Sequence, residues 1–334
     1  MKRSTNSDTP ILHICSPASP AGEDLDAFGL HTWDDLKRAV QKAIGPHWQL
    51  TGRPELIWAP YQPHCAGRSD DAARAADLQA ALANERVRAI VPLRGGAWLL
   101  RILDRIDFGT LAGRRNPVYL FGYSEWTCLS LLAAQYPSAI CVHHGVPLYM
   151  LSADPHKPLS QQQKQQRWRQ VWASIRAILA GRSPKPALHG RLITGHALKN
   201  RVIQLTGGNL TLISSLAGTK FQPAAQARRR WLAIEDVNES IGSIDRKFAQ
   251  MRLAGMLEGL AGVLAGGFHT EGQNMSLAVA QLLREHVGPN VPIVAGCNFG
   301  HFWPAAAFPI GRRARLLIGP RNAVRIDVDW GRVI

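Results

Sequence analysis

Val118-Tyr119-Leu120-Phe121-Gly122-Tyr123-Ser124-Glu125 is an apolar run broken by a glycine, and a helical pattern follows it at once through Gln135. That order is a strand, a sharp turn and a helix, with a hydroxyl at the tip of the turn. A serine so placed is held clear of the sheet, and the backbone N–H behind it points at whatever the hydroxyl attacks. The run lacks the usual Gly-x-Ser-x-Gly. What gives it weight is company, because Glu235 and His301 each follow a strand-like segment further along.

Outward from this turn, short apolar runs alternate with helical patterns, which predicts an α/β fold with a parallel sheet covered by helices. The predicted strands are Ile11 to Ile14, Glu55 to Ala59, Ala89 to Leu93, Val118 to Phe121 and Ile140 to Val142. Asp70 to Asn84 reads as a helix with two carboxylates in its first turn, where the helix dipole favours them. From about 151 the character changes, with Pro155, Pro158 and a Gln-rich run, then Trp168, Trp172, Ile175 and Leu179 at helical spacing. That apolar stripe predicts a helix packed on a domain surface, and 181–186 then reads as a linker. Beyond it, strands are expected at Trp231 to Val237, Val263 to Phe268 and Pro292 to Ala295, with helices near 244–257 and 276–286. Ala314 to Ile318 and Ala323 to Val328 flank Gly319-Pro320-Arg321-Asn322 as a hairpin.

The chain has 334 residues, 46% of them apolar, enough for two domains with substantial cores. No apolar stretch approaches the roughly 20 residues of a membrane-spanning helix. Met1 to Asp8 begins with basic residues but runs into polar ones, so the protein is read as cytoplasmic, with no membrane partner. Its five cysteines (15, 65, 128, 141, 297) form no C-x-x-C pair, which argues against a zinc site and a disulfide framework. The excess of 39 basic over 24 acidic residues suits an anionic partner. The basic residues are mostly dispersed, Arg228-Arg229-Arg230 and Arg312-Arg313 being among the few clusters, and no nucleic-acid motif accompanies them. Nucleic acid is therefore not expected, solvated basic surface is the commoner explanation, and a small acidic substrate is equally compatible.

A serine nucleophile needs a base, and the base needs a group that fixes its tautomer. The acids Glu235 and Asp236 end one apolar strand, and His301 stands on a glycine-bearing turn after another. His143 and His144 compete with His301 as base, and chemistry alone leaves that choice open. Arg94-Gly95-Gly96 follows the strand Ala89 to Leu93, where paired glycines let backbone N–H groups approach a ligand closely.

The segments Ala75 to Leu82, Val87 to Gly96, Arg101-Ile102-Leu103 with Asp107, Gly122-Tyr123-Ser124-Glu125 and His144-Gly145-Val146-Pro147 closely resemble the LD-carboxypeptidases. The likeness resumes at Gly207 to Leu210, Gly218-Thr219, Glu235 to Glu239 and Ile244-Asp245-Arg246, and ends at Gly300-His301 and Pro309-Ile310-Gly311. That serine-peptidase family includes the muramoyl-tetrapeptide carboxypeptidases and the microcin C immunity peptidases. The resemblance implies Ser124 as nucleophile, His301 as general base and then acid, and Glu235 as its orienting group. Backbone N–H groups of Gly95 and Glu125 would form the oxyanion hole. Beside it, Gly96 and Trp98 are read as substrate-binding, and Arg94 as binding the substrate's terminal carboxylate or, equally, as forming a structural salt bridge.

The same resemblance implies a flavodoxin-like amino-terminal domain (1–155), a helical connector (156–195) and a carboxy-terminal swivelling barrel-like domain (196–334) bearing Glu235 and His301. It implies no cofactor and no metal, suggests a homodimer, and points to hydrolysis of an L,D-peptide bond that releases D-alanine from a murein tetrapeptide. Peptidyl or aminoacyl nucleotides are the alternative substrates, and a catalytically silent muropeptide-binding protein is a third reading. Three departures cluster near the expected pocket. Ala97-Trp98 replaces the family's Tyr-Gly, Glu125 stands where aspartate is usual, and Phe302-Trp303-Pro304-Ala305 lacks the asparagine that often follows the proline.

Overall fold

A computed structural model describes residues 9–60, 70–148, 158–195, 198–223, 229–270 and 273–331. Met1 to Asp8, Cys65, Pro155, Arg228 and the expected boundary at 155/156 lie outside them. The first sheet holds β1 (Ile11–Cys15), β2 (Gln49–Gly52), β3 (Val87–Pro92), β4 (Val118–Gly122) and β5 (Ala139–His143), all parallel, in the order 5-4-3-1-2. Alternation along these strands fills two apolar layers. Val118 and Leu120 face the layer of α2 (Asp71–Ala83) and α3 (Trp126–Ala133), while Tyr119 and Phe121 face that of α1 (Trp33–Ile44) and α4 (Gln161–Leu179).

The Trp168, Trp172, Ile175 and Leu179 stripe packs into the second of these layers, as its spacing predicts. Helix α4 starts where Ser160 and Gln163 cap one another reciprocally, a capping box that stops the Gln-rich run from fraying. One predicted strand is corrected. Glu55 to Ala59 is not a strand, because Pro54 pre-sets the first turn of a short helix, Pro54–Ile57, with Glu55 beside its amino terminus. The second strand is β2 instead, an edge strand too polar and too exposed to register as an apolar run.

The second sheet closes on itself. Around it run β6 (Leu188–Thr194), β14 (Ala323–Val328), β13 (Arg313–Ile318), β7 (Arg201–Asn209), β8 (Trp231–Val237), β9 (Gly262–Thr270) and β11 (Ile293–Ala295), and β8 pairs with β9 to make a seven-stranded barrel. Strands β7, β8, β9 and β11 are parallel and the others antiparallel, with β13 and β14 in the predicted hairpin. A two-residue strand, β10 (Gln273–Asn274), folds back on β9. Helices α5 (Leu210–Ser215), α6 (Ile241–Leu253) and α7 (Ser276–Val287) pack their apolar faces against the barrel.

Two strands move the expected domain limits. Strand β6, placed in a connector ending at 195, belongs to the barrel; its polar His189 and Arg191 alternate with buried Leu188 and Leu192, so no apolar run marks it. Strand β12 (Phe308–Ile310) leaves the second half and pairs antiparallel with β5 in the first sheet, an edge position that tolerates Pro309. The halves therefore interlock. Between them α3 is buried along its whole length, with Thr127 Oγ1 accepting from Asn209 N at 3.0 Å, which explains its apolar sequence on every face. No helix among the described residues is long and apolar enough to cross a membrane.

Trp172 has no exposed surface and fastens α4 to the sheet. Trp172→Ala is expected to cost about 3–5 kcal/mol of unfolding free energy, read as a lower urea midpoint.

Candidate active site

Strand β4 ends at Gly122 and α3 begins at Trp126, so the chain must reverse within three residues. Ser124 takes φ 57°, a left-handed conformation that costs a non-glycine residue of order 1 kcal/mol, and Thr127 N closes the turn on Ser124 O at 2.9 Å. Its side chain faces the loop after β3. A Cβ placed on Gly95 would lie 3.3 Å from Ser124 Cβ and 3.5 Å from its Oγ, so the Gly95 backbone sits against the hydroxyl.

That loop is tied down from three sides. Gly96 has φ 119° and a Cβ there would overlap Ser19 Oγ, which accepts from Ala97 N at 3.2 Å. The buried Arg74 guanidinium donates to Pro17 O and to Trp98 O, while Asp70 and Asp71 balance its charge. Glu125 Oε2 accepts from Leu99 N at 3.0 Å. The Glu125 carboxyl thus anchors the loop in addition to any use of its N–H, and burial pushes its pKa up against the opposing pull of these amides and Arg74. Arg74 and Ser19 were not singled out from sequence. The only signal for Arg74 was a lone cation on the apolar side of α2.

Glu235 lies on β8 and His301 on the loop after β11, and His301 Nδ1 donates to Glu235 Oε2 at 2.6 Å, both side chains buried. Gly300 makes the approach possible: at φ 126°, its Cβ would come within 3.0 Å of Glu235 Cβ. Asp236 is turned elsewhere, accepting from Asn209 Nδ2, Thr211 N and Thr211 Oγ1 at 2.8–2.9 Å. Burial opposes charge on His301, but Glu235 outweighs it, aided by Asp236, and raises the imidazole pKa. Burial likewise opposes charge on Glu235, and His301 with His143 brings its pKa below the usual value. With Nδ1 committed to the carboxylate, Nε2 is the free proton acceptor of the neutral ring.

The two halves of this constellation meet at Tyr123, whose ring lies 4.5 Å from that of His301, centroid to centroid. Among the described residues no hydrogen bond joins Ser124 Oγ to His301. His144 is fully engaged, donating Nδ1–H to Gly145 O at 2.6 Å and accepting at Nε2 from Ser174 at 2.7 Å, and burial lowers its pKa to about 4. His143 faces Glu235 from a different side. Arg94 does not stand free in the pocket; it pairs with Asp24 at 2.8 Å. Trp98 has φ 76° and its carbonyl is held by Arg74.

A cavity of about 880 Å³ opens beside the pair, bordered by Tyr123, His144 and Gly300. Its far wall, from α4 and the 182–187 segment, carries Arg176, Arg182 and Lys185, and its lining among the described residues includes no carboxylate. Trp303 contributes one face. Trp168 and Trp172, in contrast, are core residues.

Residues 12–145 match the family model described as the LD-carboxypeptidase N-terminal domain, and residues 204–316 match that of the LD-carboxypeptidase C-terminal domain. The chain is 31% identical over 309 residues to a putative carboxypeptidase of Streptomyces coelicolor, covering 91% of this chain and 89% of that one. It is 29% identical over 265 residues to the Bacillus subtilis protein named "Probable murein peptide carboxypeptidase", covering 78% of each. Among solved structures, muramoyltetrapeptide carboxypeptidase from Oxalobacter formigenes superposes with a TM-score of 0.65 at 21% identity over 95% of this chain and 98% of that one. The microcin C7 self immunity protein MccF, in complex with aspartyl sulfamoyl adenosine, superposes with a TM-score of 0.66 at 14% identity over 96% and 97%.

Glu235→Gln leaves burial to act on His301 with less opposition, so the imidazole is expected to titrate at a lower pH than in the wild type, followed by its proton NMR signal. The stabilisation that the pair contributes is lost as pH rises through the raised His301 pKa and as it falls through the depressed Glu235 pKa. The difference in unfolding free energy between wild type and variant should therefore change least between those two titrations.

Proposed function

The chain belongs to the LD-carboxypeptidase family, and from that premise we propose that it is a serine carboxypeptidase releasing the terminal D-alanine of murein tetrapeptides in peptidoglycan recycling. The observation that carries this reading is the 2.6 Å Glu235–His301 hydrogen bond beside a serine on a strained strand-to-helix turn. Ser124 Oγ attacks the carbonyl carbon of the L-centre, and its proton passes to His301 Nε2. Glu235 holds the imidazole in the tautomer that leaves Nε2 unprotonated and stabilises the imidazolium that forms. The oxyanion lies against backbone N–H groups of Gly95 and Glu125, where a preorganised loop needs no rearrangement. Collapse expels the amine of D-alanine, protonated by His301, and water then hydrolyses the acyl-enzyme. The Ser124–His301 contact tightens when substrate fills the site, as catalytic hydrogen bonds commonly do.

The peptide body occupies the cavity beside His301, with Arg176, Arg182 and Lys185 facing the carboxylates that such a peptide carries. The excess of basic residues over the whole chain steers the same substrate inward. A second reading, hydrolysis of a peptidyl or aminoacyl nucleotide, draws on Trp303. Of the tryptophans at 168, 172 and 303 it alone lines the cavity, where a base would stack, although Arg167 already lies over its ring at 5.5 Å. In keeping with the family resemblance, the enzyme would work in the cytoplasm as a homodimer.

Incubation with murein tetrapeptide, followed by mass spectrometry, is expected to show D-alanine release that Ser124→Ala lowers by at least about 10⁴-fold. Equal release by both proteins removes Ser124 as nucleophile. Release only from an aminoacyl nucleotide analogue selects the second reading, and turnover of neither selects a silent binding protein. Arg182→Ala combined with Lys185→Ala should raise KM for the tetrapeptide about 3- to 10-fold with kcat unchanged, less so in high salt.

A further inference from the structure

His143 ends β5, and its imidazole is buried against the carboxylate oxygen that His301 does not use. His143 Nε2 lies 3.9 Å from Glu235 Oε1. Neither that oxygen nor either nitrogen of His143 has a hydrogen-bond partner among the described residues. Unpaired polar atoms at such depth are costly, and here two complementary ones face each other about 0.7 Å beyond ordinary hydrogen-bond reach. The ring is fixed in plane by aromatic neighbours: it stacks on Phe308 at 4.6 Å and meets Phe299 and Tyr123 edge-on at 6.0 Å.

The titratable groups around His143 come from each element packed on it. Glu235 faces it from β8, His301 from the loop after β11, Tyr123 from the serine turn and His144 from the next position in the chain. His144 is committed to Gly145 and Ser174, and Asp236 to Asn209 and Thr211. That leaves Glu235 Oε1 as the acceptor with an unused lone pair toward His143.

We propose that His143 is a positioning residue for the Glu235–His301 pair, its Nε2–H reaching Glu235 Oε1 as the second donor after a shift of about 1 Å, with or without substrate. With one imidazole on each oxygen, the carboxylate is fixed in rotation and its charge is shared. The proton that His301 takes from Ser124 then stays on His301, because a carboxylate already accepting from His143 competes for it less well. Burial holds the His143 pKa down to about 4, so the ring remains a neutral donor and adds no like charge beside the imidazolium. This inference rests on the reading of Ser124, Glu235 and His301 as a triad.

His143→Phe preserves the ring stack and removes the donor; His143→Gln returns an N–H. In the Phe variant the full carboxylate charge falls on His301. The NMR titration of its imidazole, in protein without substrate, is expected to move up by about half to one pH unit. The acid limb of kcat/KM should follow by the same amount, with kcat down about 3- to 10-fold at neutral pH and KM little changed. His143→Gln should restore both. A folded Phe variant whose His301 titrates as in the wild type overturns the proposal, whatever its activity. Should the Phe variant fail to fold, His143→Asn, too short to reach Oε1, takes its place against Gln under the same criteria. A wild type inactive on murein tetrapeptide overturns the proposed function instead, and the substrate-free titration still decides the role of His143.

Discussion

A carboxylate with no exposed surface is the constraint around which this molecule is arranged. Glu235 lies at the heart of the contact between the two sheets, and stripping it of water is tolerable only because His301 meets it at 2.6 Å. That partner arrives on a loop from another barrel strand, past a glycine that no side chain could replace without pushing the carboxylate aside. Strand β5 brings His143 toward the other oxygen, and β4 brings Tyr123 against the His301 ring. Three separate stretches of chain must be in place before the charge is accommodated.

The serine obeys a different logic. Its turn is strained and its loop partner, Gly95, is held by a web that reaches through Ser19, Arg74 and Glu125 to α2 and to the start of α3. Rigidity on this side and an open Ser124–His301 contact on the other divide the site into two preassembled halves. Each is held by its own sheet.

Much of this was legible in the sequence for reasons that are local. A strand that ends in glycine before a hydroxyl and a helix can fold in few ways, and the Trp168 to Leu179 stripe has the period of its helix. What escaped was what depends on distant partners. Strand β6 alternates polar and apolar residues and so hides among loops, β12 is three residues long, and Glu55 to Ala59 looked like a strand until Pro54 is read as a helix start. Arg94 showed the same limit at the site: a guanidinium next to paired glycines fits a ligand or a structural salt bridge equally, and only Asp24, seventy residues earlier, shows it to be the salt bridge. Geometry also separated Glu235 from Asp236, neighbours that sequence chemistry alone could not rank, because Asn209 and Thr211 occupy the second acid.

Strand β12 ties the history of the chain to its shape. The first sheet lacks its last strand until residue 310 has been made, so during synthesis β5 waits with an open edge while the whole barrel except its closing hairpin emerges behind it. The serine turn is complete long before the strand that seals its sheet. A gene fragment ending near 155 would therefore encode an unfinished sheet with a bare, sticky flank, not a portable module, and recombination that exchanged the second half would have to bring its own matching seal.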